Sequence, residues 1–333
     1  MPINKVLITG IGGFVGSHLT EYILAEFPNI QILGLVRWWE PQENIKHILD
    51  KIKLCYGDLV DMPSLETILR EKKPDVIFHL AAQSYVDFSF LAPITTLEAN
   101  VIGTANLLEA VKNLKTTLGY DPVIHICSSS EVFGQVKENE VPIKEDNPFR
   151  PASPYAVSKV GEDMLAFQYW ISWGIKTIRT RMFTHTGPRR GEVFVESNFA
   201  KQIAAIEAGK QEPIVKVGNL DSIRTFLDVK DAVKAYWLLV TKCPPGEVYV
   251  IGGKETMPVG EMLNKLLKLS TVKNISVEVD PARLRPSDVT LQIPCIDKFV
   301  EATGWKPEIP FDKTLEDILN YWRDYYRKEK RYV

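Results

Sequence analysis

Residues 5–27, KVLITGIGGFVGSHLTEYILAEF, constrain this chain more than any other stretch: a β-branched apolar run meets glycines at positions 10, 13 and 16, and an amphipathic segment follows at once. Strand, glycine-rich turn and helix in that order open a βαβ unit, whose crossover returns the chain to a parallel sheet. Gly10 permits the tight turn, Gly13 lets a pyrophosphate approach the backbone, Phe14 opens the helix and Gly16 lets that helix pack close to the sheet. The unpaired amides at the helix N-terminus favour the same anion. The spacing is GxxGxxG with an extra glycine at 12, in place of GxGxxG.

The alternation continues through the first half of the chain. KVLIT, QILGLV, IKLCYG, DVIFHLA, PVIHICS and IKTIRTR read as strands, and helical patterns run over Phe14–Phe27, Met62–Glu71, Pro93–Leu118 and Tyr155–Trp173. This predicts an α/β fold with a doubly wound parallel sheet, the Rossmann arrangement, over residues 1–180. From residue 181 to 333 the texture changes to loop-rich stretches with arginines, separated by short helices such as Asn198–Ala208. Those segments are too scattered to make an independent core of their own. They suit a smaller C-terminal substrate-binding lobe, with some segments returning to the first domain. The cleft between the two is the expected site, because ligands of open α/β sheets lie outside the carboxyl ends of the strands.

Forty basic residues against forty-two acidic ones leave a net charge of −2, so no broad positive field invites nucleic acid or an anionic membrane. Bound phosphates must be met by local residues. Cys55, Cys127, Cys243 and Cys295 are far apart, with no CxxC pair and no metal-ligand spacing. They read as buried free thiols, and no segment reads as a leader or a membrane span; the expectation is a cytoplasmic protein without a metal.

The second strand ends in LVRW, where an NAD site carries an acidic residue for the ribose 2′-hydroxyl. Arg37 stands there instead and suits a 2′-phosphate, so the expected cofactor is NADP. Asp58 and Leu59 in GDLVD fall beside the adenine, and Leu80, Ala81 and Ala82 in HLAAQS end the fourth strand with residues that let the dinucleotide pass closely. Trp38 and Trp39 suit a subunit interface, a cover for the adenine, or burial within the chain.

SPYAVSK sets Tyr155 and Lys159 four apart on a predicted helix, hence on one face. An ammonium beside a phenol favours phenolate, which fits Tyr155 to move a proton near neutral pH. The pair gains meaning from its company: the glycine turn, then CSSSEVFG at the end of a strand, then YxxxK.

In that order, GIGGFVG, HLAAQS, SSSEVFG and YAVSK resemble the extended short-chain dehydrogenase/reductases along essentially the whole chain. The resemblance implies a hydride-transfer site in which Ser129, Tyr155 and Lys159 act on a sugar C4 hydroxyl, with Tyr155 and Lys159 also touching the cofactor. HTGPRRGEVFV is similar to the GDP-mannose 4,6-dehydratases, whereas FAKQIAAIEAGKQEPIVKVGNLDSIRTFLDV and RLRPSDV resemble the GDP-4-keto-6-deoxymannose reductases as much. VRWWEPQENI with FVES resembles dehydratases of GDP-manno-heptose.

The resemblance makes Glu131 the base at C5 and the acid at C6 of a 4,6-dehydratase, beside Ser130. It assigns Arg224 and Arg285 to the substrate diphosphate, Asp288 to the nucleoside ribose, Val195 and Asn198 to the same pocket, and Ser84 to the hexose. Thr184 and His185 stand where the dehydratases have asparagine and histidine, and Asn198 where they carry lysine; both bear on the sugar bound. A 4-keto-sugar reductase consuming NADPH, a nucleotide-sugar 4-epimerase and a nucleotide-sensing binding protein are the alternatives. The partner expected besides the GDP-sugar is the chain itself, as a homodimer or homotetramer, with Met164, Phe167 and Tyr169 on the YxxxK helix suited to an interface or to the core.

Overall fold

The computed structural model describes residues 2–284 and 291–329; Arg285 and Asp288 lie outside them. Strands β1 (Lys5–Thr9), β2 (Gln31–Val36), β3 (Lys53–Tyr56), β4 (Val76–His79), β5 (Val123–Ser129) and β6 (Thr177–Met182) fall on the six predicted runs. Helices α1 (Phe14–Glu26) and α2 (Met62–Lys72) form the first two crossovers. After β4 come α3 (Val86–Leu91), α4 (Pro93–Leu97) and α5 (Gly103–Leu118), and between β5 and β6 lies α6 (Pro154–Trp173). The remainder holds β7 (His185–Thr186), α7 (Val195–Glu207), β8 (Ile214–Val217), β9 (Ile223–Asp228), α8 (Val229–Lys242) and β10 (Val248–Ile251). It ends with β11 (Glu255–Pro258), α9 (Val259–Leu269), β12 (Ser276–Val279), β13 (Leu291–Gln292), α10 (Asp297–Thr303) and α11 (Phe311–Glu329).

The central sheet has seven parallel strands in the order β3-β2-β1-β4-β5-β6-β10. Order reverses at β1, whose neighbours are β2 and β4, so the crevice for ligands opens at the carboxyl ends of β1 and β4. The strands are apolar on both faces because helices cover both. Along β1, Val6 and Ile8 join the core under α1 and α8, with Leu19, Ile23 and Tyr236, while Leu7 joins the opposite core under α2 and α5, with Leu65, Leu107 and Val111.

The C-terminal segments do form a core of their own, contrary to the sequence expectation. β9 pairs with β7, β11 and β13, and α7, α9 and α11 pack Phe199, Ile203, Met262, Leu263, Leu315 and Leu319 around Phe226 and Phe311. These apolar faces are spread over more than a hundred residues, and only closure by α11 brings them together. Among the described residues no helix is long and apolar enough to cross a membrane.

The segment 93–118 is not one continuous helix: Glu98–Ile102 makes a π turn between α4 and α5. Asn100 in that turn is fully buried, accepting from Gln83 N at 2.7 Å and donating to Gln83 O at 3.0 Å and Ser158 Oγ at 2.8 Å. The bulge thereby ties the loop after β4 to α6, in keeping with the placement of π bulges near functional sites.

Helix α6 starts where its sequence directs. Ser153 caps it by accepting from Ala156 N at 3.0 Å, Pro154 occupies the first turn, and Gly174 closes it in the left-handed conformation. Asp163 then bolts α6 to β6: its buried carboxylate receives Arg179 Nη1 at 3.0 Å and Arg181 Nε at 2.9 Å. Asp163→Ala leaves two arginines uncompensated in the interior, and the expected loss is about 3–5 kcal/mol of unfolding free energy, read by urea denaturation. A loss within experimental error would show that the bolt contributes nothing.

Candidate active site

A cavity of about 1360 Å³ lies between the carboxyl edge of the central sheet and the C-terminal lobe. It is roomy for a single ligand, since small-molecule sites run to about 1,000 Å³. Every predicted site residue that is described lines it. Gly10, Gly13, Phe14 and Gly16 follow β1; Arg37 follows β2; Asp58 and Leu59 follow β3; and Leu80, Ala81, Ala82 and Ser84 follow β4. Ser129, Ser130 and Glu131 follow β5, Tyr155 and Lys159 come from α6, and Thr184, Val195, Asn198 and Arg224 face them from the lobe side.

The glycine turn is shaped as its sequence implies. Gly10 has φ +69°, and a Cβ there would come within 2.9 Å of Ala81 Cα; a Cβ on Gly16 would come within 2.2 Å of Gly10 O. α1 thus starts against the end of β1, with its N-terminal amides at the cavity wall. Arg37 is half exposed, its Nε 3.8 Å from Glu40 and its guanidinium 5.5 Å from the Trp39 ring. Trp38 and Trp39 are 78 % and 56 % exposed, so burial within the chain is excluded for both.

Strand β5 ends in a short 3₁₀ turn over Ser130–Phe133, and Ser129 Oγ caps it by accepting from Glu131 N at 3.2 Å. One hydrogen bond therefore fixes the serine hydroxyl and the glutamate backbone together. The Glu131 carboxylate reaches within 3.8 Å of Arg224 Nη1 across the cavity. Tyr155 is buried, and burial holds its phenol pKa above the ordinary value, contrary to the expectation from the adjacent lysine alone; the Lys159 ammonium and the Ser129 hydroxyl draw it only part of the way back. Lys159 is buried too, and against that burial the Glu162 carboxylate, 2.7 Å from Nζ, holds the ammonium above its ordinary pKa.

Several residues of the site escape sequence reasoning. GPRRG presents two arginines alike, yet Arg189 turns away to Glu21 at 2.6 Å, and Arg190 turns into the cavity wall, 3.5 Å above the Phe194 ring. Arg190 Nε is buried with no hydrogen-bond partner, and so is His185 Nε2. Burial first, then Arg190, lowers the His185 pKa to about 4, which leaves the ring neutral. Its Nδ1 lies 3.1 Å from Phe183 O and must donate to that carbonyl, leaving Nε2 as an acceptor. Arg283 also lines the cavity and donates to Asn198 at 2.9 Å.

These groups fit a dinucleotide with a 2′-phosphate: a glycine cradle, Arg37 at the end of β2, and two buried polar atoms without hydrogen-bond partners, on Arg190 and His185, whose side chains pack on Phe14 beside that cradle. Arg37→Ala removes a charge-assisted bond of about 1.5–3 kcal/mol, so the Kd for NADP should rise about 10- to 100-fold with that for NAD unmoved. Equal losses for both cofactors in a fluorescence titration would remove Arg37 from the 2′-phosphate.

Comparison with known proteins follows the same line. A family model described as GDP-mannose 4,6 dehydratase matches residues 7–318. The chain belongs to the GDP-mannose 4,6-dehydratase family. Among its relatives, the GDP-6-deoxy-D-mannose reductase of Pseudomonas aeruginosa is 33% identical, with 98% of this chain and 99% of the relative covered. The human GDP-mannose 4,6 dehydratase is 32% identical, with 96% and 91% covered. The solved structure of RMD from Pseudomonas aeruginosa, complexed with NADPH, superposes with a TM-score of 0.82 at 32% identity, covering 97% of this chain and 99% of that one. A cofactor of the NADP type is thus common ground between the family and the geometry.

Proposed function

We propose that this family member is an NADP-dependent 4,6-dehydratase of a GDP-sugar, GDP-mannose or GDP-manno-heptose, yielding the 4-keto-6-deoxy sugar. The observation that carries the reading is Glu131: a carboxylate in the wall shared with Ser129, Tyr155 and Lys159, at the start of the turn that Ser129 caps.

Gly10, Gly13, Gly16, Arg37 and Lys159 would hold NADP, which when bound would supply the hydride acceptor for C4 and donor for C6. Tyr155 takes the C4 hydroxyl proton, with Ser129 Oγ holding that oxygen and the Lys159 charge favouring phenolate. Oxidation at C4 makes the C5 hydrogen acidic. Glu131 removes it and then protonates the departing C6 hydroxyl, so one water leaves. The proton that Tyr155 took from the C4 hydroxyl is returned at C5 as C6 receives the hydride, so Tyr155 and Glu131 both end as they began and the sum is substrate minus water with no net redox change. Arg224 meets the diphosphate and positions the sugar against Glu131. The division of labour we infer is residues 1–180 for NADP and 181–333 mainly for the nucleotide sugar, with some segments returning to the first domain.

The test is product mass after incubation with each GDP-sugar and only a trace of NADP. Loss of one water with no cofactor turnover supports the reading. Reduction of a supplied GDP-4-keto-6-deoxy sugar, with NADPH consumed one for one, supports the second reading, a 4-reductase. That reading is favoured by the end-to-end match to the Pseudomonas aeruginosa reductase.

Four free cysteines fit a reducing compartment, the cytoplasm. A homodimer through α6 is supported by Val157, Met164, Phe167 and Ile171, which stand exposed on that helix at i, i+7, i+10 and i+14. Of the three residues suited to an interface or to the core, Tyr169 takes the core, buried in its own chain and donating to Glu109. Ile171→Glu should turn a dimer into a monomer by light scattering, and an unchanged mass would move the interface elsewhere.

A further inference from the structure

One turn beyond Lys159, α6 buries a carboxylate that the mechanism above does not use. Glu162 is 1% exposed; Oε2 lies 2.7 Å from Lys159 Nζ, and Oε1 is buried without a hydrogen-bond partner. An interior carboxylate with half its acceptors unmet is costly, and packing alone would favour an apolar residue. Nor does Glu162 serve the bolt to β6, since Arg179 and Arg181 are both held by the adjacent Asp163.

The other groups around the pair leave Lys159 to Glu162. From β4 and β5, His79 lies between Thr9 and Thr104 and His125 bonds Thr180; burial lowers both pKa values to about 3, so neither carries charge. Cys127 on β5 faces Tyr236 of α8 at 3.2 Å, and burial raises both, keeping them neutral. Arg190, on the Tyr155 side, has Glu196 at 3.7 Å. Asp87 of α3 and Glu98 of the π turn line the cavity beyond. α4 offers no titratable group, and on α5 Glu109 pairs with Lys112 and Lys115 with Asp121.

We propose that Glu162 is a positioning residue for Lys159: it anchors the ammonium below Tyr155, and its charge offsets part of the ammonium's pull on the phenol. The proton affinity of Tyr155 is then set by a triad, Tyr155, Lys159 and Glu162. Burial pushes the Glu162 carboxyl up to about 7 even though Lys159 draws it down. The inference rests on the reading that Tyr155 takes the C4 proton.

The test compares pH profiles of kcat for the wild type, Glu162→Gln, Glu162→Asp and Tyr155→Phe. Activity rises with pH as Tyr155 loses its proton. Removing the carboxylate leaves the ammonium unopposed and lowers the phenol's proton affinity, so in E162Q the ascending limb moves to lower pH by about one unit, with KM for the sugar unmoved. E162D, whose carboxylate is drawn back by one methylene, moves it the same way by less. Limbs coincident with wild type in both variants, with kcat falling only as the folded fraction falls, overturn the proposal. Should E162Q not fold, the E162D limb decides alone: a downward shift supports, and no shift overturns. An active Tyr155→Phe would sink the reading of the site itself, whereas an inactive one with unmoved Glu162 limbs sinks only this inference.

Discussion

Tyr155→Phe lowers kcat by about 10²- to 10⁴-fold while NADPH still binds. Among the described residues the phenol is the one group in the cavity wall that combines burial, an adjacent ammonium and a hydroxyl neighbour, which is why the C4 proton is assigned to it in the proposed mechanism. The aromatic ring remains to fill its place, and stability should change little. A fluorescence titration with NADPH beside a rate measurement separates the two effects. Retained activity would mean that the hydroxyl is not the base and that the site carries some other chemistry.

Glu131→Gln should divide the reaction instead of abolishing all of it. Gln keeps the backbone amide that Ser129 caps, so the turn holds its shape. It can neither take the C5 proton nor return one at C6, and water loss should fall about 10²- to 10⁴-fold. Oxidation at C4 needs only Tyr155, Lys159 and Ser129 and should survive, visible as a burst of reduced-cofactor absorbance stoichiometric with enzyme. A variant that dehydrates at the wild-type rate would make Glu131 a turn residue and favour the reductase reading. Because the carboxylate also stands 3.8 Å from Arg224, KM for the sugar should change modestly as that contact loses its charge.

The parts of this site legible in the sequence are those encoded locally. A glycine at φ +69° and another that meets the preceding turn declare themselves by spacing, and so does a Tyr-Lys pair four apart on one helix face. The six strands of the first half were legible for the same reason, since a sheet covered on both faces writes short apolar runs. What escaped depends on partners far along the chain. The break at Glu98–Ile102 follows from the bonds of Asn100 to Gln83 and Ser158, which no helical periodicity reveals. Arg189 and Arg190 are indistinguishable in GPRRG until Glu21, a long way upstream, claims the first. The lobe's core needed α11 to close over helices drawn from separate stretches. Glu162 reads in sequence as an ordinary helix glutamate, and only its burial against Lys159 gives it a role.

The central claim is an internal redox cycle in which hydride leaves C4 and arrives at C6 of the same sugar. The measurement that tests it most directly uses a GDP-sugar deuterated at C4, a trace of NADP, and mass and NMR analysis of the product. The account predicts deuterium at C6 of a 4-keto-6-deoxy sugar, with one water lost and no NADPH consumed. A product with no deuterium at C6, or an untouched substrate beside NADPH-dependent reduction of a 4-keto sugar, would contradict it.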